Sequence, residues 1–272
     1  MHADHEVPRD RWGRPLIIPP GGGTPAPYAR VSTLAKALDD TSNLTAWRGR
    51  MVALGMALEP SLVDRAVAVA NRCTDPVRDG KRDLDAVVRS ATERAGASTA
   101  ADTGTALHEL TEVLDRGDAL RVIPERWMGH LDAYQRATAC LDVLDIETFV
   151  VNDAVTAAGT FDRLVRLPDG RVVVADYKTG RHDASYPSGV TTQIATYARG
   201  HRYDPATGTR SPIHPDLVAS TGLLIHQPAS GDGTCRLYLL DLTVGWEQAR
   251  MAAEVARIRK RKPADYLEEM HA

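Results

Sequence analysis

Apolar residues recur every three or four positions through much of the first half of the chain. This spacing is typical of helices that bury one face, so residues 31–142 are predicted to be mainly helical. The clearest helices are predicted over 60–72, 82–94, 103–115 and 123–142. Residues 1–30 instead contain repeated prolines and a run of three glycines, which predicts an extended arm.

Beyond residue 143 the apolar residues form short runs and alternations. These patterns predict strands over 146–151, 159–167, 171–177, 218–226 and 235–242, and helices over 188–202 and 244–260. The run Val-Val-Val-Ala at 172–175 has no polar residue, which predicts a strand buried on both faces. The order of elements predicts an α/β fold, in which a mixed sheet has flanking helices and a helical N-terminal part. We expect one domain over 31–272, with the helical part at 31–142 and the sheet core at 143–272.

The composition is that of an ordinary globular protein, since 43% of the 272 residues are hydrophobic and 25% are charged. The formal net charge of −3 argues against a generally basic nucleic-acid binder, although a local basic groove is compatible with it. No apolar run is long enough to span a bilayer, and the polar N-terminus lacks a signal-peptide pattern. We therefore expect a cytoplasmic protein without a membrane partner.

The pattern of cysteines and the absence of several motifs argue against several kinds of functional site. Cys73, Cys140 and Cys235 are scattered, which argues against a disulfide framework, a zinc site or a four-thiolate iron–sulfur cluster. No phosphate-binding loop of a nucleotide-driven motor is present. The run from His108 to Glu112 resembles a zinc-protease helix, but Glu112 stands where the second histidine belongs.

Two aspartates and a lysine form the main candidate for chemistry. Asp162 and Asp176 lie on consecutive predicted strands joined by a hairpin turn, so antiparallel pairing would bring their carboxylates together. Lys178 follows Asp176 by two residues and therefore projects from the same face of the strand. Two carboxylates beside an ammonium group suit a hard divalent cation and phosphodiester hydrolysis. The alternative is a structural Asp–Lys pair at the end of a strand.

Three further side chains extend this candidate site. Gln193 and Tyr197 are four residues apart on the following helix, so they share a face that can contact a phosphate or a DNA strand. His108 can bind a metal if its helix packs beside the hairpin, and Glu112 can bind the metal or orient His108. The alternatives are a solvated helix face for the first pair and a structural histidine for His108.

Four short motifs follow one another in order over about 104–197. They are Gly104-x-x-x-His108, Gly159-x-x-Asp162, Asp176-Tyr177-Lys178-Thr179-Gly180 and Gln193-x-x-x-Tyr197. Together they resemble the RecB-like branch of the PD-(D/E)XK nucleases, which implies a restriction-endonuclease-like mixed sheet. Residues 39–47 are similar to RecB-like exonucleases encoded by actinobacterial phages.

The resemblance implies roles for the motif residues. His108, Asp162 and Asp176, with the main-chain carbonyl of Tyr177, would bind Mg²⁺ or Mn²⁺. Lys178 would serve the attacking water and the transition state. Together with His108, the two aspartates and this lysine are the implied catalytic residues.

The same resemblance implies that Gln193 and Tyr197 organise the site and contact DNA. CRISPR-associated members carry a four-cysteine iron–sulfur cluster and RecB carries a helicase motor, and we expect neither here. The resemblance therefore implies a stand-alone nuclease.

The leading hypothesis is a metal-dependent exonuclease acting on linear DNA in phage recombination, repair or processing, with a recombination protein as a candidate partner. The alternatives are a catalytically inactive DNA-binding protein on the same fold and a helical scaffold with a purely structural Asp–Lys pair. Arg259 and Arg261 belong to the basic run 257–262, which either contacts DNA phosphates or forms a solvated helix end.

Overall fold

The computed structural model describes residues 7–97, 99–119, 123–230, 234–268 and 270. The helices are α1 (Val31–Ala35), α2 (Ser42–Leu58), α3 (Ser61–Arg72), α4 (Pro76–Asp79), α5 (Lys81–Arg94), α6 (Thr99–Asp115), α7 (Glu125–Thr138), α8 (Ser188–Ala198) and α9 (Leu242–Ile258). The strands are β1 (Leu16–Ile17), β2 (Ala26–Pro27), β3 (Ala29–Arg30), β4 (Asp142–Asn152), β5 (Ala157–Arg166), β6 (Val172–Lys178), β7 (His201–Tyr203), β8 (Arg210–Ser211), β9 (Leu217–His226) and β10 (Arg236–Asp241).

The main sheet is mixed and has the strand order β10-β9-β6-β5-β4-β7-β8. Strands β4, β5 and β6 pair antiparallel, whereas β6 and β9 pair parallel. A parallel pair needs a long crossover, and the connection from β6 to β9 accordingly includes α8. The predicted α/β fold with a mixed sheet and flanking helices is therefore confirmed, and it is consistent with the restriction-endonuclease-like architecture.

Strand β6 is buried on both faces, as its apolar run predicted. Successive side chains of a strand point to opposite faces, and the residues of β6 divide accordingly between two cores. Val172 and Val174 pack with residues of α8 and α9. Val173 and Ala175 pack with Leu107 of α6 and with residues of α7 and β9. The end of β6 therefore lies between two layers of helices.

The N-terminal residues from position 7 are extended but packed onto the sheet. Strands β1 and β2 pair with each other, and β3 pairs parallel with the start of β5. Ile17 and Tyr28 are buried against Val151 and Ala158 of the sheet. Strands of only two residues have no periodic pattern, which is why the sequence predicted only an arm.

Several boundaries differ from the sequence-based predictions. The predicted helix over 188–202 ends at Ala198, and β7 follows at His201–Tyr203. The predicted helix over 123–142 ends at Thr138, and β4 begins at Asp142 rather than at residue 146. Residues 142–145 read Asp-Val-Leu-Asp, and so short a segment fits both the helical period of 3.6 residues and the strand period of 2 residues. The sequence alone therefore does not place this boundary. Among the described helices, none combines the length and the apolar character that a membrane crossing requires.

The chain divides into two compact units. One comprises the residues up to Asp39 and those from Leu107 onward, and the other comprises Asp40–Ala106. Within the second unit, a Cβ atom at Gly55 would lie 1.9 Å from the main-chain oxygen of Ala91, so glycine permits α2 to approach α5 closely. That 31–272 behaves as a single domain stays a prediction.

Candidate metal centre

The two candidate aspartates lie where β5 and β6 separate. The pairing of these strands ends at Arg163 and Ala175, and one more step in the same register sets Asp162 opposite Asp176. From that point β5 continues beside β4, and β6 continues beside β9. Because the two strands separate here, the main-chain N–H of Tyr177 does not pair with β5 and can donate to the Asp162 carboxylate.

Asp162 is buried and well supplied with hydrogen bonds. Its Oδ2 accepts the main-chain N–H of Tyr177 at 2.8 Å and lies 3.0 Å from Nε2 of His108. Burial alone would raise the pKa of Asp162, but His108, Lys178 and the Tyr177 N–H outweigh it and lower that pKa. Asp162 is therefore held as a carboxylate.

His108 lies on α6 between two carboxylates. Its Nδ1 is 3.0 Å from Oε1 of Glu112, one helical turn further along α6. Burial opposes protonation of the ring, yet the hydrogen bond and charge of Asp162 and the hydrogen bond of Glu112 prevail and raise the pKa of His108. Glu112 therefore contacts His108, and α6 packs beside the β5–β6 hairpin. That Glu112 orients His108 and that His108 binds a metal stay predictions.

Asp176 is fully buried and contacts two side chains. The Lys178 ammonium lies 2.5 Å from its Oδ2, and the side-chain amide of Gln193 donates to its Oδ1 at 3.1 Å. Burial and the negative charge of Asp162 raise the pKa of Asp176 to about 6 despite the ammonium. Lys178 thus lies on the same side of β6 as Asp176, as their spacing predicted.

Glu147 also belongs to this group, although no sequence motif singles it out. It lies in β4 between the pairs Ile146–Arg163 and Thr148–Phe161, which places it opposite Asp162. Its φ of 52° is in the left-handed region, which is uncommon for residues other than glycine and is enriched at functional sites. Desolvation and the charges of neighbouring acids raise its pKa to about 7.

The donor atoms fit a divalent cation. Ligand atoms of His108, Glu147 and Asp162 all lie within 4.8 Å of one another. Carboxylate oxygens with one imidazole nitrogen suit ions such as Mg²⁺ or Mn²⁺. This group shares His108 and Asp162 with the set that the resemblance implied. That Asp176 and the carbonyl of Tyr177 also bind the metal stays a prediction.

The predicted DNA-contacting residues occupy different environments. Gln193 contacts Asp176 and lies 3.5 Å from the hydroxyl of Tyr197. The Tyr197 ring is buried against Phe161, and a Cβ atom at Gly159 would come within 3.2 Å of its hydroxyl, so the glycine leaves room for this ring. That Gln193 and Tyr197 contact DNA stays a prediction.

The two basic candidates lie elsewhere in the chain. Arg259 and Arg261 are exposed beyond the end of α9, and the Arg261 guanidinium lies 5.8 Å from the Tyr266 ring. No described contact joins either of them to the carboxylates of the metal centre. Their contact with DNA likewise stays a prediction.

A buried arginine supports the centre from behind. Arg163 follows Asp162 in β5 and is fully buried. Its Nε donates to Asp115 at 2.8 Å and its Nη2 donates to Thr111 at 3.0 Å, both on α6. Tyr134 of α7 donates to the same carboxylate at 2.7 Å. This network fixes α6, and hence His108, against the strand that carries Asp162.

The family model for the PD-(D/E)XK nuclease superfamily matches residues 55–227, a segment that contains every member of the metal centre. No curated protein matches the sequence.

Proposed function

Since the chain belongs to the PD-(D/E)XK nuclease superfamily, a family of metal-dependent nucleases, we propose that it is an exonuclease that hydrolyses phosphodiester bonds of linear DNA. The observation that carries the proposal is the convergence of His108, Glu147 and Asp162 beside the buried Asp176–Lys178 pair. The motif order of the RecB-like branch supports an exonuclease in particular. It also supports a role in phage recombination, repair or processing, with a recombination protein as partner.

In this proposal the acids and His108 hold Mg²⁺ or Mn²⁺. A bound divalent ion supplies polarisation of the scissile phosphate and a lowered pKa of a coordinated water. Asp162 provides a fixed carboxylate, and Glu112 orients His108 from behind. Gln193 fixes Asp176 by donating to its second oxygen.

Lys178 provides the positive charge of the site. Its ammonium is oriented by Asp176, and the carboxylates around it outweigh burial and raise its pKa, so it stays protonated at neutral pH. A fixed ammonium beside the phosphate stabilises the negative charge that develops on phosphate oxygens in the transition state. It can also donate a hydrogen bond to the attacking water and thereby position it.

The main alternative is a DNA-binding protein that has lost catalysis. The presence of the full set of His108, Asp162, Asp176 and Lys178 favours the enzyme, because a site without catalysis has no need of an ammonium oriented by a buried carboxylate. The scaffold alternative likewise leaves Glu147 and its left-handed backbone unexplained.

A cleavage assay tests the proposal. Purified protein is incubated with end-labelled linear DNA and with closed circular DNA, in Mg²⁺ or Mn²⁺ and in EDTA. We expect metal-dependent loss of linear DNA, with circular DNA resistant. Asp162→Asn should abolish cleavage, whereas Asp169→Asn, at the exposed turn between β5 and β6, should retain it.

Three outcomes would contradict the proposal. Absence of cleavage with every metal would leave the inactive DNA-binding alternative, and cleavage in EDTA would refute metal dependence. If circular DNA is cut as fast as linear DNA, the enzyme is an endonuclease rather than an exonuclease.

A further inference from the structure

An exposed tryptophan lies between arginines in a short loop near the N-terminus, far in sequence from the metal centre. Residues 9–14 read Arg-Asp-Arg-Trp-Gly-Arg and are named here the Trp12 loop. The Trp12 side chain is 62% exposed. The guanidinium carbons of Arg11 and Arg14 lie 4.0 Å and 4.9 Å from the centre of its ring. The indole ring of Trp12 is a large apolar surface, and because it is exposed it does not pack in a hydrophobic core.

The loop is rigidly built. Asp10 accepts the main-chain N–H groups of Trp12 at 3.0 Å and Arg14 at 2.9 Å, and its other oxygen accepts Nε of Arg14 at 2.8 Å. Gly13 has φ of 74°, which allows the tight turn. Arg9 and Pro15 form a bridge that closes the loop. The backbone of the loop is therefore held in place, so little backbone conformational entropy is lost when the loop binds a ligand.

The loop also concentrates positive charge. Its six residues contain three arginines and one aspartate, whereas the whole chain has a net charge of −3. Asp10 is engaged by Arg14. Arg11 forms no ion pair with a carboxylate among the residues that the structure describes, and its guanidinium packs on the indole. Within that part of the chain Arg11 is thus a cation held against an aromatic face, and it is available to an anion.

The strands that follow the loop anchor it in the unit that holds the metal centre. Ile17, three residues beyond the loop, is buried against Val151 and Ala158. Strand β3 pairs with Ala157 and Ala158 of β5. Asp162 lies further along the same strand, about 13 Å from Ala158 at the usual rise per residue. The Trp12 loop and the metal centre therefore belong to the same compact unit.

We propose that the Trp12 loop binds an unpaired segment of the DNA substrate. The indole stacks on a base, and the Arg11 guanidinium moves from the ring to a phosphate. An aromatic platform with adjacent arginines is the combination that single strands require, because unpaired bases expose their faces and their backbone is anionic. The inference rests on the proposed function in one respect, namely that DNA is the substrate.

Binding in EDTA tests the inference, since it is read without cleavage. The probes are a fluorescein-labelled oligothymidylate of about 20 nucleotides and a blunt hairpin duplex, and the readout is anisotropy with the full-length protein. We expect Trp12→Ala to weaken single-strand binding about tenfold and Trp12→Phe to restore most of it. Duplex binding should be unchanged. Arg11→Gln should lower the slope of log Kd against log salt by about 0.7.

Trp47→Ala is the matched control, because Trp47 is also an exposed tryptophan but has no described guanidinium over its ring. Its single-strand Kd should equal that of the wild type. Three results would each overturn the inference: unchanged single-strand binding by Trp12→Ala, equal weakening of duplex binding by Trp12→Ala, or a wild type that binds no single strand.

Cleavage by the wild type in Mg²⁺ is measured in parallel. Failure to cleave contradicts the proposed function, whereas an unaffected Kd in Trp12→Ala contradicts only the role of the loop.

Discussion

At the scale of single residues, the Asp176–Lys178 pair combines a fully buried carboxylate with an ammonium group. Asp176 is fully buried, and its two oxygens contact the Lys178 ammonium and the Gln193 amide. Burial of a carboxylate costs free energy of folding unless the carboxylate is paired. An apolar residue at the end of β6 would avoid this cost. The value of the pair lies in holding an ammonium at a fixed point beside the other acids.

Replacement of Lys178 tests that assignment. We expect Lys178→Ala to lower kcat at least 100-fold, because a fixed charge that stabilises the transition state is lost. Mn²⁺ binding and the far-UV circular dichroism spectrum should persist, since the bound cation offsets the charge of Asp176. Lys81→Ala, a lysine at the start of α5 in the other unit, is the control and should keep full activity. A Lys178→Ala enzyme with a near wild-type rate would remove this residue from the mechanism.

Proton binding at the centre predicts how metal affinity depends on pH. The pKa of Asp176 is raised to about 6 and that of Glu147 to about 7 in the metal-free protein, and the pKa of His108 is also raised. Each of these groups must lose its proton before it binds a cation. Protons and metal therefore compete, and the apparent affinity for Mn²⁺ should rise from pH 5.5 to pH 8, most steeply near the pKa values of about 6 and 7.

Isothermal titration calorimetry in buffers of different ionisation enthalpy measures both the affinity and the protons released. Glu147→Gln removes the group with the pKa of about 7, so fewer protons should be released near neutral pH. Affinity that does not vary with pH would show that these groups are not the ligands.

At the scale of elements, a buried ion pair links α6 to β5. Arg163 in β5 and Asp115 in α6 are both almost fully inaccessible, and the guanidinium also contacts Thr111. Loss of one partner leaves the other as an uncompensated buried charge, which is more costly than loss of both. The pair therefore couples the strand that carries Asp162 to the helix that carries His108.

A double-mutant cycle measures this coupling. We expect Arg163→Met to lower the free energy of unfolding by about 3–5 kcal/mol, because Asp115 is left buried without its partner. The double variant Arg163→Met/Asp115→Leu should be less destabilised than the sum of the single variants. Urea unfolding followed by circular dichroism gives all four free energies. Strictly additive effects would mean that the two side chains do not depend on one another.

The elements also show which features the sequence could reveal. The hairpin of β5 and β6 was predictable, because a turn between two apolar runs sets Asp162 near Asp176 whatever the rest of the fold. Glu147 was not, because its place opposite Asp162 depends on the register between β4 and β5 and on a left-handed backbone. Arg163 was missed because an arginine in a strand is normally assigned to the solvent face, and only its partners on α6 explain its burial.

At the scale of the whole molecule, the net charge of −3 conceals an uneven distribution. Several acids are gathered at the metal centre, where a bound cation offsets them. Arginines of the Trp12 loop and of the C-terminal run 257–262 are positive regions on the surface. An acidic enzyme can therefore attract an anionic polymer locally, since charge distribution rather than net charge steers a ligand.

The two compact units predict unequal local stability. The core of the second unit consists of the buried residues Leu62, Val87 and Ala91 with a few partly buried neighbours, whereas the sheet is buried between two much larger clusters. Burial of apolar surface provides most of the stabilisation, so the smaller core should open at a lower free-energy cost. Amides of α3 and α5 should then exchange with solvent about 100-fold faster than those of β5 and β6, as a difference of a few kcal/mol requires.

Hydrogen exchange with mass spectrometry under native conditions measures this difference peptide by peptide. Val87→Ala should enlarge the difference in exchange rate, because deletion of buried methyl groups destabilises only the small core. Exchange should then accelerate in α3 and α5 and stay unchanged in β5 and β6. Leu164→Ala, in the core of the sheet, is the reciprocal variant and should accelerate exchange in β5 and β6. Equal protection in both units, or acceleration throughout the chain in Val87→Ala, would mean that they unfold as one cooperative body, which is the behaviour expected of a single domain over 31–272.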